Sequence, residues 1–367
     1  MTAIRDEYDY LIHLTACALK GIKSLEKPDE LSFQLLLEHG ISHEIANLAF
    51  YSIEKLLGKP EEKLYARFKE IRDRAIVKDI NQSVTAEGIR TVLNDAGISF
   101  YELQGTAIKP LYPSSDMRTM SDMDFIVPKE KLPLAKEVLS LAGHSPTPVS
   151  DREFHIKQKP NIFVEVHSDF TPDGGRSEYI HSLAVSQNEK DRAAALYIFS
   201  ILHVAKHYFS RGCGIRRVMD VYVLNKALKE KLDTEMLAAS FKKSGRYSFW
   251  KDISLLADYW FGETDKIPPR IEKMATEIKG ASLHGVFSET MDDAFKRKAA
   301  LGEKGIRSRY FIKRVFPSIT YMNQLFPILG KHRYLLPVFW VWRILKGVFT
   351  KWNTLWNEFL RMRKGKN

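Results

Sequence analysis

Three acidic residues near the middle of the chain have the spacing of a metal site. Asp122 and Asp124 are separated by one residue at the start of a short apolar segment, residues 124–127. In a β-strand, residues i and i+2 point to the same side of the sheet, so these two carboxylates converge. Carboxylate oxygens are ligands that Mg²⁺ prefers, and substrate phosphates complete its coordination. The pair therefore predicts a site for a divalent cation and a phosphorylated substrate.

The third carboxylate, Glu165, lies in a second apolar segment, residues 162–167. If this strand pairs beside the first, Glu165 joins Asp122 and Asp124. Three converging carboxylates repel one another, and burying them without a cation is costly. Two divalent cations roughly 3.5–4 Å apart would offset the repulsion and stabilise an in-line phosphoryl displacement. We expect these three carboxylates to bind Mg²⁺ or Mn²⁺.

Residues upstream of this pair have the chemistry of a phosphate site. Gly105 and Thr106 lie between a predicted strand, residues 98–103, and a predicted helix start. Glycine permits close backbone approach, free helix N–H groups bind phosphate, and the Thr106 hydroxyl adds a hydrogen bond. Arg118, four residues before Asp122, is placed to bind phosphate in a bidentate manner.

The elements that carry these residues indicate a small α/β or α+β domain between helical regions. Short apolar segments predict strands, and apolar residues at helical spacing predict helices on both sides of them. Strands that alternate with helices are typical of such a domain. The predicted regions are an N-terminal helical region (1–95), an α+β core (96–185), a helical domain (186–300) and a basic aromatic segment (301–367), with strands at 98–103, 124–127 and 162–167.

The charge of the chain is concentrated in the last of these regions. The 367 residues include 56 Lys+Arg and 45 Asp+Glu, for a net charge of +11. Residues 301–367 hold 14 basic and 2 acidic residues, so the rest of the chain is nearly neutral. This distribution excludes a uniformly basic nucleic-acid-binding protein.

Residues 338–366 form a predicted basic amphipathic helix and tail, with Trp340, Trp342, Trp352 and Trp356 inside it or at its start. Three interpretations remain open: docking of the aromatic face on the protein body, peripheral binding to a membrane surface, and contact with RNA or another polyanion. The width of the apolar side favours lipid or protein over nucleic acid.

The cysteines and the chain start indicate a cytoplasmic protein. Cys17 and Cys213 have no metal-ligand spacing and cannot form a disulfide framework, which favours a reducing compartment. The N-terminus lacks the pattern of a signal peptide. The longest apolar stretch, residues 335–342, is far shorter than the ~20 residues that span a bilayer. We expect a cytoplasmic location, with the inner face of the membrane as the place of any peripheral contact.

The motifs resemble those of the nucleotidyltransferase superfamily that shares the fold of DNA polymerase beta. Within it, the chain resembles an uncharacterised nucleotidyltransferase family whose members are often encoded near polysaccharide-synthesis genes. The family pattern is Lys-Gly, Tyr, Arg, Asp-x-Asp and an apolar-acidic-apolar-His strand. Here it reads Gln104-Gly105, Tyr112, Arg118, Asp122-Met123-Asp124 and Val164-Glu165-Val166-His167. Gln104 replaces the usual Lys, and Thr106 stands where the superfamily has Ser.

The resemblance implies an α+β fold with a small mixed-sheet nucleotidyltransferase core, and transfer of a nucleoside monophosphate from an NTP. The acceptor would be a hydroxyl of a small molecule or glycan-related compound, and pyrophosphate would leave. Asp122, Asp124 and Glu165 are then the catalytic carboxylates. The two aspartates hold the metal-bound triphosphate, and Glu165 with Asp122 holds a second metal and assists deprotonation of the acceptor.

The resemblance also covers residues 203–220, which contain two histidines and an Arg…Asp pair. His203 and His207, at i and i+4, face one side of a helix. Either they pack partly buried against the core, or they contact the nucleotide or acceptor beside Arg217. His167 is expected to lie behind the carboxylates or in the core. The predicted nucleotide-binding residues are Gly105, Thr106, Arg118, His203, His207 and Arg217.

Two other functions use similar residues. A metal-dependent glycosyltransferase holds a nucleotide sugar with Asp-x-Asp, but it does not need Gly105-Thr106 and Glu165 in this arrangement. A non-catalytic binding protein with a relict site is the other alternative, and the intact carboxylates argue against it.

Overall fold

The structure is a computed structural model that describes residues 4–168, 177–210, 212–281, 332–340 and 342. The chain divides into two compact units, Met1–Thr290 and Met291–Asn367. The helices of the first unit are α1 (Glu7–Lys20), α2 (Phe33–Ser42), α3 (Ala46–Ile53), α4 (Glu62–Asp95), α5 (Gln104–Ile108), α6 (Leu132–Leu141), α7 (Ser177–Ala184), α8 (Glu189–Ser210), α9 (Ile215–Ala227), α10 (Thr234–Lys243), α11 (Tyr247–Phe261) and α12 (Pro269–Lys279). Its strands are β1 (Tyr101–Leu103), β2 (Met123–Ile126), β3 (Pro146–Ser150), β4 (Glu153–Gln158) and β5 (Ile162–His167).

The strands form one mixed sheet in the order β1-β2-β5-β4-β3. Strands β2 and β5 are parallel, and every other neighbouring pair is antiparallel. A small mixed sheet with helices before and after it confirms the predicted α+β class. Strands β1, β2 and β5 overlap the three predicted strands, whereas the β3–β4 hairpin was not predicted.

Alternation along β2 and β5 gives the sheet two different faces. Met123, Phe125, Val164 and Val166 are fully buried and pack in one core with the apolar side chains of α4 and α6. The intervening residues, including Asp124 and Glu165, necessarily lie on the opposite face. Burial of the apolar face thus fixes which side of the sheet carries the carboxylates.

The long helix α4 joins the N-terminal helical region to the sheet. Its first half contributes Phe68 to the core of the surrounding helices, and its second half contributes Ala86, Ile89 and Leu93 to the core under the sheet. The helical character predicted for this end of residues 1–95 is therefore confirmed. The domain boundaries predicted after residues 95, 185 and 300 stay predictions.

The second unit is described over few residues. A 3-10 turn at Arg333–Leu335 leads into a short helix over 336–340, where Val338 is 62% exposed. The rest of the segment predicted as a basic amphipathic helix, apart from Trp342, lies outside the described residues. In the described chain, every helix is too short or too polar to cross a membrane. Cys17 and Cys213 are both buried.

Candidate active site

The three predicted carboxylates meet on the open face of the sheet. Asp124 on β2 and Glu165 on β5 are direct partners across the parallel pair, and Asp122 immediately precedes β2. Burial, Asp124 and Glu165 together raise the pKa of Asp122. The predicted pairing of the two strands is confirmed, and with it the convergence of the carboxylates.

His167 lies among these carboxylates. Its Nε2 is 3.2 Å from Oε2 of Glu165 and 3.5 Å from Oδ1 of Asp124, and its Nδ1 is 3.6 Å from Oε2 of Glu153. Burial lowers the pKa of His167, but the hydrogen bonds with Asp124 and Glu165 outweigh it and raise the pKa to about 10. The hydrogen bond from His167 lowers the pKa of Glu165. His167 was expected behind the carboxylates or in the core, and it is hydrogen-bonded to two of these carboxylates.

Strand β4 adds two more polar residues to the same face. Glu153 and His155 lie opposite His167 and Glu165 in the antiparallel register. Nε2 of His155 contacts the Glu153 carboxylate and lies 3.8 Å from Oε1 of Glu165. Sequence analysis missed both residues. The signal was the alternation of residues 153–156, in which Phe154 and Ile156 are buried and their neighbours are polar.

This arrangement fits a divalent cation. One ligand atom from each of Asp124, Glu165 and His167 falls within 4.8 Å of the others, and the same holds for Glu153, His155 and Glu165. Within the described ranges, no Lys or Arg forms an ion pair with any of these carboxylates. Carboxylate ligands suit Mg²⁺ or Mn²⁺, and imidazole ligands, which must release a proton before they bind a metal, suit Zn²⁺.

The loop between α5 and β2 is fixed by the N-terminal helices. The side-chain amide of Asn47 on α3 donates to the carbonyl oxygen of Asp116 at 2.8 Å. The Tyr51 hydroxyl donates to the Asp116 carboxylate at 2.5 Å. On α4, Nε2 of Gln82 donates to the carbonyl oxygen of Met120 at 3.2 Å. These bonds hold the segment that leads directly to Asp122.

Gly105 and Thr106 occupy the start of α5, directly after β1, as predicted. A Cβ at position 105 would lie 2.7 Å from Nη1 of Arg118 and 2.7 Å from Sδ of Met120, so any larger residue would require these side chains to shift. Thr106 is 4% exposed, and its Oγ1 has no hydrogen-bond partner in the described chain. A buried hydroxyl without a partner costs free energy, and a bound ligand would supply the missing bond.

Arg118 forms an ion pair with Asp220, a partner that was not predicted from the sequence. Its Nε and Nη2 donate to the two carboxylate oxygens of Asp220 on α9, at 2.9 and 3.0 Å. The Tyr112 hydroxyl donates to the same carboxylate at 2.8 Å. A bidentate contact of Arg118 with phosphate would require this buried ion pair to open, because only Nη1 is outside it. Phosphate binding by Arg118 therefore stays a prediction.

His203, His207 and Arg217 lie together between α8 and α9. The two imidazole rings are 4.5 Å apart. Burial and the nearby Arg217 lower the pKa of His203 well below its usual value, so its ring is uncharged. Burial lowers the pKa of Arg217 to about 10, and its Nε has no hydrogen-bond partner among the described residues. Arg118 also acts on both pKa values, which places this group beside the Arg118–Asp220 pair.

Comparison with known proteins places this geometry in a family. A model of the uncharacterised nucleotidyltransferase family matches residues 29–262. The chain belongs to this family. The match includes every residue of the sheet, the three carboxylates and the histidines of α8, and it confirms both the resemblance and the enzyme class.

One solved structure was found to resemble this nucleotidyltransferase. The solution structure of the antibiotic-resistance factor ANT(2'')-Ia is similar at 14% identity, with a TM-score of 0.33, over 47% of this chain and 96% of that chain. None of the curated proteins compared with the nucleotidyltransferase matches it.

Proposed function

We propose that this nucleotidyltransferase uses Mg²⁺ or Mn²⁺ to transfer a nucleoside monophosphate from an NTP to an acceptor hydroxyl. The acceptor in this proposal is a small molecule or a glycan-related compound. The observation that carries the proposal is the direct pairing of Asp124 with Glu165, with Asp122 one residue before the strand. In the described chain Asp124 and Glu165 have histidines but no Lys or Arg as ion-pair partners, so a divalent cation would offset the remaining repulsion among the three carboxylates. A nucleotidyl donor reaches such enzymes as a metal complex.

In the proposed reaction, the acceptor oxygen attacks the α-phosphorus of the NTP. The bond from that phosphorus to the oxygen that bridges to the β-phosphate breaks, and pyrophosphate leaves. Bound Mg²⁺ would neutralise the charge of the triphosphate. Asp122, Asp124 and Glu165 would hold it, and Glu165 with Asp122 would draw the proton from the acceptor hydroxyl.

The remaining predicted residues supply contacts to the nucleotide in this proposal. Gly105 lets the backbone approach closely, and the partnerless hydroxyl of Thr106 would bond to a phosphate oxygen. Arg217 has a buried Nε without a partner in the described chain, beside His203 and His207, and would meet the nucleotide or the acceptor. Family membership favours this reaction over the glycosyltransferase and over the non-catalytic alternative.

The test is a screen of the four NTPs, each with Mg²⁺ or Mn²⁺, that measures nucleotide binding by thermal shift and pyrophosphate release. We expect metal-dependent binding of at least one NTP. Asp122→Asn and Glu165→Gln should each lower pyrophosphate release by at least about 100-fold. Asp151→Asn, an exposed carboxylate in the turn before β4, is the matched control and should behave like the wild type. Wild-type protein that binds none of the NTPs would refute the proposal.

A cytoplasmic location and peripheral contact of residues 338–366 with the inner face of the membrane complete the proposal. Docking of this segment on the protein, and contact with nucleic acid, are its alternatives. Sedimentation of the protein with anionic liposomes, with and without residues 338–366, tests the membrane contact.

A further inference from the structure

Basic side chains surround the segment that leads to Asp122, and most of them have carboxylate partners. Arg118 pairs with Asp220, as described above. Nζ of Lys109 lies 2.6 Å from Oδ1 of Asp79, and the pair is almost fully buried. Arg216 is also buried, where Nη1 contacts the Glu44 carboxylate and donates to the carbonyl oxygen of Thr119 at 2.8 Å. These three cations are neutralised by carboxylates inside the protein, and their ion pairs connect separate segments of the chain.

Lys78 on α4 differs from them. It forms no hydrogen bond or ion pair with any residue that the structure describes. Even so, it is half-buried, and burial lowers the pKa of its ammonium group. The charges that act on it most strongly are Glu44, Arg216 and Asp122. Its ammonium group therefore lies near Asp122, the first catalytic carboxylate, and near Arg216, which together with Arg118 forms what we call the arginine cluster.

The hydrogen bonds of α4 support this placement. Gln82, one helical turn after Lys78 on the same side, donates to the carbonyl oxygen of Met120. Asp79, the next residue after Lys78, accepts a hydrogen bond from the Ser115 hydroxyl at 2.6 Å. Both contacts involve the segment that leads to Asp122. The helix therefore presents Lys78 to the end of that segment.

A half-buried ammonium without a partner loses hydration and gains no compensating bond, so an anionic ligand would stabilise it. Lysine is a compact point charge that commonly binds phosphate. The nearby anion in the proposed reaction is the polyphosphate of the nucleotide donor, which must lie close to Asp122. Arg118, Arg216 and Lys109 are less available to bind this polyphosphate, because each would first have to break its ion pair with a carboxylate.

We propose that Lys78 binds the phosphate groups of the nucleotide donor, so that the N-terminal helical region contributes directly to the substrate site. This inference rests on the proposed function and adds the residue that recognises the polyphosphate part of the donor.

The experiment compares wild type, Lys78→Met and Lys78→Arg by calorimetric titration with inorganic tripolyphosphate and with the NTP that binds best, both in Mg²⁺. Methionine keeps the length of the aliphatic side chain and removes the charge. Lys63→Met is the matched control, because Lys63 is an exposed lysine on the same helix. Circular dichroism and melting temperature verify that each variant is folded.

We expect Lys78→Met to bind both probes about tenfold or more weakly, as for loss of a charged hydrogen bond. Lys78→Arg should keep most of the affinity, and Lys63→Met all of it. Wild-type affinity in a folded Lys78→Met variant would overturn the inference and leave the proposed function standing. Absence of NTP binding in the wild type would instead refute the proposed function, and this inference with it.

Discussion

The acidic face of the sheet and the arginine cluster beside it handle charge in opposite ways. On the sheet, Asp124 and Glu165 have histidines as neighbours, and in the described chain they form no ion pair with Lys or Arg. In the cluster, Arg118 and Arg216 are both buried. Each forms an ion pair with a carboxylate from a distant part of the chain.

This difference distinguishes charges that stabilise the fold from charges that are available to bind a ligand. A buried charge that the protein already neutralises joins elements, here α9 with the loop before β2 and with the end of α2. A group of like charges that the protein neutralises only in part, here through His167, is costly to fold unless a ligand compensates the rest. Substitutions on the acidic face should therefore change metal and nucleotide binding. Substitutions in the arginine cluster should change the free energy of unfolding.

The largest expected effect is on activity. Asp124→Asn should lower metal-dependent pyrophosphate release by at least about 100-fold, because it removes a charge that stabilises the bound cation. The free energy of unfolding without metal should fall by less than about 3 kcal/mol, since asparagine keeps an acceptor for His167 and relief of repulsion from Glu165 offsets part of the lost attraction to His167. Steady-state assays and urea denaturation measure the two quantities. A large loss of metal-free stability with little loss of activity would reverse the assignment of the acidic face.

The opposite result is expected in the arginine cluster. Asp220→Ala leaves the Arg118 guanidinium, which is 5% exposed, and the Tyr112 hydroxyl without their partner. Breaking one side of a buried ion pair costs about 3–5 kcal/mol, which urea denaturation would detect. Asp252→Ala is the control, because its partner Arg270 is 67% exposed and the pair should contribute at most about 1 kcal/mol. A stable Asp220→Ala variant that no longer binds NTP would place the Arg118–Asp220 pair in the substrate site instead.

The sequence contained enough information to predict the acidic face. Strand periodicity placed Asp122, Asp124 and Glu165 on one side of a sheet, and an acidic residue inside an apolar strand required a partner. The β3–β4 hairpin was harder to predict, because Pro146 and Pro148 disfavour a strand at that position. Glu153 and His155 were missed with it.

The partners of the cations could not be predicted in this way. Arg118 and Asp220 are 102 residues apart, and Arg216 and Glu44 are 172 residues apart. Only the packing of α2, α9 and the loop before β2 reveals that these charges meet. Residue type and local spacing therefore suggested a phosphate ligand at Arg118, where the fold had supplied an internal carboxylate.

The smallest expected effect concerns a histidine that joins the same helices. His43, which is 1% exposed, accepts a hydrogen bond at Nδ1 from the Ile215 N–H at 3.1 Å and donates from Nε2 to the Lys279 carbonyl oxygen at 3.2 Å. This arrangement requires a neutral ring, and burial lowers the pKa of His43 to about 4. His167 on the acidic face shows the opposite shift.

Below pH 6.5, His43 takes up a proton in the unfolded chain but not in the folded protein. The contribution of neutral His43 to the free energy of unfolding is therefore fully present above pH 6.5. It is lost as the pH falls toward 4, by about 3 kcal/mol. Urea denaturation from pH 7.5 to 4 should therefore show a shallower loss of stability in His43→Gln than in wild type, while His144→Gln keeps the wild-type slope. If the stability of His43→Gln falls with pH as steeply as that of the wild type, His43 takes up its proton in the folded protein as well. The helix junction would then tolerate a charged imidazole.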